Sequence, residues 1–496
     1  MTSSRQSRAR VAAPSLIAGF LLCIAGCATT TTTPPAPISS GGPRAEPEPR
    51  GPMTDLPPPG EERGFGAAEE DDRGDGMIAA DGDTPPHLAG QDVQRAAVLL
   101  PFTHPNRRVR ADAEAIFAAV ELALFDQGAD TFVLMPKDTA GTQSGAQQAA
   151  EGAVKAGADV IIGPLFSANV TAVSDVVNQA YEDALREQRR DRRFDSRRKR
   201  EAKPADDRND ALPDFLRPVE EVETRELRPA PDGARLIPII AFSNDRTASE
   251  GGAYLASITP EEEVARIVEY SVRQGIQSFA FLGPSSSYGR RVEAALRLEA
   301  SRNGAFVIAS GLYDPSNDAP IDEAQIVANA VQTVAETRPD TVAVLVPERG
   351  VKLRAVAPLL PYYGVDTRTI RMLGTGAWND PSLWREPTLI GGLFAAPNPA
   401  DLETFTGSYE RVYGGPPSTL AALGYDAAAL AMGLAAQDRL TREDIADRDG
   451  FYGVNGLFRF KPDGSAERGL AVLEIQAGEG AVAIERGPRS FDGFEG

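Results

Sequence analysis

The stretch Gly157–Val170, GADVIIGPLFSANV, decides the fold. Val160, Ile161 and Ile162 are apolar at every position, which suits a strand covered on both faces inside a parallel sheet. Gly163-Pro164 ends the run, and Ser167 and Asn169 then open a helix. At such a strand end the turn and the free amides of the next helix face a crevice, where open α/β sheets bind their ligands. The pattern recurs as PIIAFSNDR (Pro238–Arg246) and, more loosely, as AVLLPFTH (Ala97–His104). Three strand ends with small polar residues predict one binding mouth. No reactive group stands in any of them.

Outward from this centre, strands and helices alternate. AVLLP, TFVLMPKD and VIIGP read as strands, with helices over 111–126, 144–155 and 169–181 between and after them. This rhythm implies right-handed crossovers and a parallel sheet. Residues 181–235 interrupt it with dense charge of both signs, REQRRDRRFDSRRKRE at their head. They read as an insertion, a charged helical extension followed by a loose loop, with a solvated face as its default role. LIPIIAFSN resumes the sheet. A second cycle places helices over 261–274, 290–303, 321–336 and 352–362, with strands FAFLGP, FVIASGLYD, TVAVLVP, RMLGTG and GGLFAAP. Helices over 401–413 and 420–437 follow. The closing GVNGLFRFKPDGSAERGLAVLEI reads as a hairpin turning at Lys461–Gly464.

At 496 residues the chain exceeds one compact domain and allows two lobes plus appendages. Its 71 acidic against 51 basic residues, net −20, argue against a general affinity for nucleic acid or anionic membrane. Arg5, Arg8 and Arg10 precede an apolar run, Val11–Gly26, too short for a comfortable membrane span. Ile24-Ala25-Gly26-Cys27 resembles the lipobox of bacterial lipoproteins. That likeness implies removal of 1–26, lipidation of Cys27 and, with Ala28 behind it, transfer to the outer membrane. Cleavage would leave Cys27 as the one cysteine, so no disulfide is expected. Residues 27–92 are rich in Thr, Pro, Gly and acids without apolar periodicity, and read as a disordered tether.

The chain lacks the sequence patterns of common catalysts. GxSxG, HExxH and GxxxxGK are absent. Of the two histidines, His87 falls in the tether and His104 in a loop, neither near a cysteine or a second histidine. Ser196–Lys199 fits SxxK by chance, with no KTG in the chain. Gly374-Thr375-Gly376 is a weak dinucleotide signal, and Asp71, Asp72 and Asp75 a solvated acidic run rather than a calcium loop. No enzyme activity, metal or cofactor is expected.

The order of elements from about Gln94 onward is similar to the type I periplasmic binding-protein fold, in its leucine-binding-like branch. DTAGT (Asp138–Thr142), VIIGPLFSANV, PIIAFSN, SSSYGRR (Ser285–Arg291) and GVNGLFRFKPDG carry the resemblance. Within that branch FSNDR, APLLPYYGVD, LGTGAWNDPSL and ERGLAVLEI look most like the penicillin-binding-protein activator lipoproteins. The resemblance implies an α/β fold of two lobes, each a parallel sheet flanked by helices, joined by three crossovers around a cleft. Lobe one would hold 93–258 and 400–445, lobe two 259–399 and 446–490. Cleft-facing candidates carried over by position are Ser167, Asn169, Ser243 and Asn244 in lobe one and Tyr288, Thr375 and Trp378 in lobe two. Tyr425 and Asp426 are placed near the hinge. Tyr288 and Trp378 fit core packing equally well. The implied function is non-catalytic: an outer-membrane lipoprotein that binds and stimulates a peptidoglycan synthase, a bifunctional penicillin-binding protein. The alternative is a solute receptor delivering a small amino-acid-like ligand to an ABC transporter. Activators of the best-known type carry a helical-repeat domain ahead of this fold, where this chain has a tether.

Overall fold

The computed structural model describes residues 93–201 and 235–491. The leader, Cys27, the tether with His87, and most of the loop half of the 181–235 insertion lie outside them.

The first lobe is built by β1 (Gln94–Leu100), α1 (Arg107–Gln127), β2 (Phe132–Asp138), α2 (Gln143–Lys155), β3 (Val160–Ile162), α3 (Ser167–Glu201), β4 (Ile239–Ala241) and β5 (Tyr254–Leu255). Its strands run in the order β2-β1-β3-β4-β5, all pairs parallel. The continuous apolar run of β3 is explained by its two faces. Val160 and Ile162 pack with Ile116 and Val120 of α1, while Ile161 packs with Ala150 of α2 and Val170 and Val173 of α3. Gly163 has φ +107°, and a Cβ there would stand 2.3 Å from the Leu99 carbonyl oxygen, so only glycine lets the chain leave the sheet at this point.

The second lobe begins at Thr259, which closes a capping box with Glu262 ahead of α4 (Pro260–Arg273). It continues through β6 (Ser278–Pro284), α5 (Ser287–Arg302), β7 (Phe306–Tyr313), α6 (Ile321–Ala335), β8 (Val342–Leu345), α7 (Gly350–Val356), α8 (Leu359–Tyr362), β9 (Arg371–Leu373) and β10 (Leu393–Ala396). The single helix expected over 352–362 is two, because prolines 358 and 361 remove backbone donors there.

The chain then returns to lobe one through α9 (Pro399–Tyr413), α10 (Thr419–Ala435) and α11 (Arg442–Ile445). Leu423, Ala427 and Ala431 of α10 join Ile116 of α1 in one core. A small antiparallel sheet follows, β11 (Phe451–Gly453), β12 (Gly456–Phe460) and β13 (Ala466–Arg468), and then β14 (Ala471–Gln476) and β15 (Gly480–Glu485). The seven-stranded sheet of lobe two has the order β15-β14-β10-β9-β8-β6-β7, with β14 and β15 antiparallel at its edge.

Two expectations need correction. Residues 446–490 do not all belong to lobe two. Phe458, Phe460 and Ala466 are buried in the lobe-one core, and the Leu255 amide donates to the Gly464 carbonyl at 2.8 Å. Only from Ala471 does the chain join the second sheet. The expected turn at Lys461–Gly464 is present, yet it joins β12 to β13 alone. Secondly, the helix expected over 169–181 is the first part of α3, which runs unbroken for 35 residues, about 50 Å, into the charged insertion.

Candidate functional site

The carboxyl ends of the two parallel sheets carry the polar loops. In lobe one the ends of β3 and β4 are stitched together: the Gly163 amide donates to the Ile240 carbonyl at 2.8 Å and the Phe242 amide to the Pro164 carbonyl at 3.0 Å. This brings Ser167 and Asn169, at the start of α3, beside the segment holding Ser243 and Asn244. Ser167 is half-buried, Ser243 buried and Asn244 exposed. Asn169 is 2% exposed, and its Nδ2 has no hydrogen-bond partner. A buried amide left unpaired costs about 1–3 kcal/mol.

The loops after β1 and β2 complete this mouth. Thr103 donates through its hydroxyl to Asp138 at 2.5 Å, and the Ala140 amide donates to the same carboxylate at 2.9 Å. Burial works to raise the Asp138 pKa, but these hydrogen bonds outweigh it and hold the group below the usual carboxylate range. His104 packs at a tilt against Phe166, ring centres 5.7 Å apart, and its Nδ1 accepts from the Asn106 amide at 3.1 Å. It acts as a wall of the loop cluster, packed so closely that a Cβ on Gly141 would meet its Cδ2 at 2.4 Å.

In lobe two, Tyr288 follows β6 and Thr375 follows β9, and their hydroxyls lie 2.9 Å apart. Thr375 is fully buried, and burial pushes the Tyr288 phenol up to about 12, the Thr375 hydrogen bond only moderating it. Glu263, in the first turn of α4, reaches the same corner. A Cβ on Gly376 would stand 2.3 Å from its Oε1, and the Gly376 amide donates to its carboxylate. Burial, reinforced by neighbouring Glu262 and Glu261, raises the Glu263 pKa to about 8 despite that bond.

Arg291 bridges the lobes. Its guanidinium forms a bidentate pair with Glu261, both contacts at 2.8 Å, and donates to the Asn244 carbonyl at 3.0 Å. Deeper in the junction lies Arg468, 8% exposed. It donates to the Ala256 carbonyl, lies 5.1 Å over the Phe458 ring and faces the charges of Asp426 and Glu262.

Of the other residues singled out from sequence, Trp378 and Tyr425 stand away from the mouth. Trp378 is fully buried in the lobe-two core, where its Nε1 donates to the Val346 carbonyl at 3.0 Å. Its ring lies on Gly374, where a Cβ would come within 2.1 Å of it. The glycines of Gly374-Thr375-Gly376 therefore make room for Trp378 and Glu263, not for a nucleotide. Tyr425 turns to the outer helical face, its hydroxyl donating to Asp126 at 3.0 Å and its ring 5.1 Å from Phe405. Asp426 is buried and accepts from the amides of Val454 (2.7 Å) and Asn455 (3.2 Å) and the Asn455 side chain (2.7 Å), fixing the β11–β12 turn. It also faces the charge of Arg468 in the junction. Replacing Trp378 by Ala should cost about 3–5 kcal/mol of unfolding free energy, as removal of a buried aromatic does. Urea titration measures this, and a loss under about 1 kcal/mol would mean that the ring packs loosely.

Glu263, Arg291 and Arg468 escaped the sequence reading. Arg291 ends the quoted SSSYGRR, but nothing in its neighbours indicates which lobe it reaches. Among the described residues no cluster of three His, Cys, Asp or Glu is placed to hold a metal, and no helix is long and apolar enough to cross a membrane.

Residues 222–480 match the sequence family described as periplasmic binding protein. A comparison with curated proteins finds no match. Among solved structures, the fold is similar to a branched-chain amino acid ABC transporter protein from Rhodospirillum rubrum, with TM-score 0.61, 16% identity, and coverage of 79% of this chain and all of that one. It is also similar to an ABC transporter solute-binding protein from Rhodopseudomonas palustris in complex with 3,4-dihydroxybenzoic acid (TM-score 0.51, 15% identity, 82% and 100% covered). A third is an ABC transporter substrate-binding protein from Desulfitobacterium hafniense in complex with Leu (TM-score 0.52, 14% identity, 79% and 100% covered).

Proposed function

We propose that this chain, which belongs to the periplasmic binding protein family, is a non-catalytic clamp that closes on a small carboxylate-bearing solute. The observation that carries the reading is Asn169. A buried amide donor without a partner, in the first turn of a long helix and beside Ser167 and Ser243, suits an anionic acceptor. The ligands named for the structures from Rhodopseudomonas palustris and Desulfitobacterium hafniense both carry a carboxyl group, which supports the class without fixing the solute. Closure would be read at the rim, where Arg291 meets Asn244.

The test is thermal unfolding of the purified protein against branched-chain amino acids and aromatic acids. A true ligand at one hundred times its Kd adds about 2.7 kcal/mol of stability and raises the melting midpoint accordingly. Asn169→Leu should fold and lose that rise. A panel without any stabilising acid, or a variant that responds like the parent, refutes the clamp.

A second reading, activation of a peptidoglycan synthase by a lipoprotein anchored at Cys27, is favoured by one feature. Tyr288 and Thr375 spend their hydroxyls on each other and Arg291 spends its donors on Glu261 and Asn244, so much of the lobe-two mouth is already satisfied. A scaffold that works by contact has no need of an empty mouth. Purifying the protein from solubilised envelope separates the readings: a permease retained with it supports the clamp, a synthase the activator.

A further inference from the structure

The charged extension of α3 sets four of its arginines on one face, with Arg192 off it and Glu182 at its near end. At 100° per residue, Arg186, Arg189, Arg190 and Arg193 fall within one stripe about 100° wide. Glu187 and Asp191 fall together on a different face. Between 186 and 201 the chain has nine basic residues and four acidic ones, in a protein whose net charge is −20. The arginines at 189, 190 and 193 are exposed. The pairs of Arg186 with Glu182 (3.0 Å) and Asp183 (2.8 Å) are themselves about 60% exposed, and such pairs contribute little.

We propose that this arm docks its arginine stripe on a bilayer surface of anionic phospholipid. Four features favour that occupant. The stripe is straight over about 10 Å among the described side chains and matches a flat surface. Arginine forks fit phosphate oxygens in pairs. The stripe lacks the apolar seam that would bury against a protein helix: Phe194, 67% exposed, is the one large apolar side chain among 189–194 and sits off the stripe. Finally, the extension beyond residue 181 is about 30 Å long, several Debye lengths, so an acidic body and an anionic surface need not meet. The overall negative charge thus argues against membrane affinity for the body but not for the arm.

The experiment uses the chain from Ala28 onward, so that neither a lipid nor the basic leader contributes, and phosphatidylcholine vesicles with or without one-third phosphatidylglycerol. Co-sedimentation should occur with the anionic vesicles only, and should fall at least tenfold as salt rises from about 0.05 to about 0.5 M. The triple variant Arg189→Glu, Arg190→Glu, Arg193→Glu should lower partitioning by about a hundredfold or more with an unchanged melting midpoint. The corresponding triple Lys variant should retain most of it. Equal binding to neutral vesicles, no binding to either, or a Glu variant that binds like the parent overturns the proposal. An arm that took an acidic protein instead would leave both vesicles bare.

Discussion

Arg468→Met should destabilise the protein by about 3–5 kcal/mol, a large fraction of the 5–15 kcal/mol that holds a typical domain together. Arg468 ends β13 where the chain makes its third passage between lobes, and its guanidinium donates to the carbonyl of Ala256, at the first passage. Burial lowers its pKa, while Asp426 and Glu262 act to keep it charged. Both acids are themselves raised by burial, with Arg468 working in the opposite direction on each. Methionine fills similar space but leaves two buried acids without their counter-charge and one buried carbonyl without its donor. The acids would respond by binding protons, so the deficit should be smaller near pH 5 than near pH 8. Adding Asp426→Asn and Glu262→Gln to Arg468→Met should restore part of the loss, since both amides keep an acceptor oxygen for the local backbone donors. Urea unfolding at the two pH values measures all of this. A single variant within 1 kcal/mol of the parent would mean that water or relaxation already screens the cluster.

That cluster also marks where sequence reading stops. The fold was legible because its evidence is local. Val160–Ile162 cannot be apolar at every position unless both faces are covered, and TPEEE before an amphipathic run is a helix start. The polar strand ends at Ser167, Asn169, Ser243 and Asn244 were legible for the same reason, each following directly from the strand before it. Trp378 stays open between cleft and core in the sequence because its position depends on a distant partner. It also follows a strand end, but a single 3-10 turn folds it back over Gly374 toward the Val346 carbonyl. Nothing in LGTGAWNDPSL states whether an aromatic ring there points into a cleft or a core. Tyr425 and Asp426 show the helical form of the same problem. Adjacent residues on a helix are 100° apart, so one reaches Asp126 on the outer face while the other fixes the turn after β11. The 446–490 segment reads whole as lobe two because its strands follow one another in sequence, whereas Phe458 and Phe460 find their core in lobe one. A buried arginine has no sequence signature at all: Arg468 reads as one more surface charge in AERGLAV.

Glu263 gives the second large effect, and it has a definite sign. Its folded pKa is about 8 against an ordinary 4.5, so below pH 4.5 the proton is bound in both states and costs nothing. Between about 4.5 and 8 the folded state keeps a proton that the unfolded chain releases, and stability must fall as pH rises. The full shift corresponds to an upper bound of about 4–5 kcal/mol. Glu263→Gln removes the titration while leaving an oxygen for the Gly376 amide. Parent and variant should therefore match near pH 4.5, and the variant should pull ahead by several kcal/mol at pH 8, read from urea midpoints across that range. Glu262 and Asp426 are also raised but are common to both proteins, so the difference isolates Glu263 apart from its coupling to Glu262 and Glu261. Parallel curves would show that the carboxyl ionises freely and that water reaches it. The consequence for binding is direct. On the clamp proposed above, a Glu263 that stays protonated at pH 7 beside Tyr288 and Thr375 would supply no counter-charge to a ligand ammonium, and the donors of lobe one would be left to select the solute by its carboxylate.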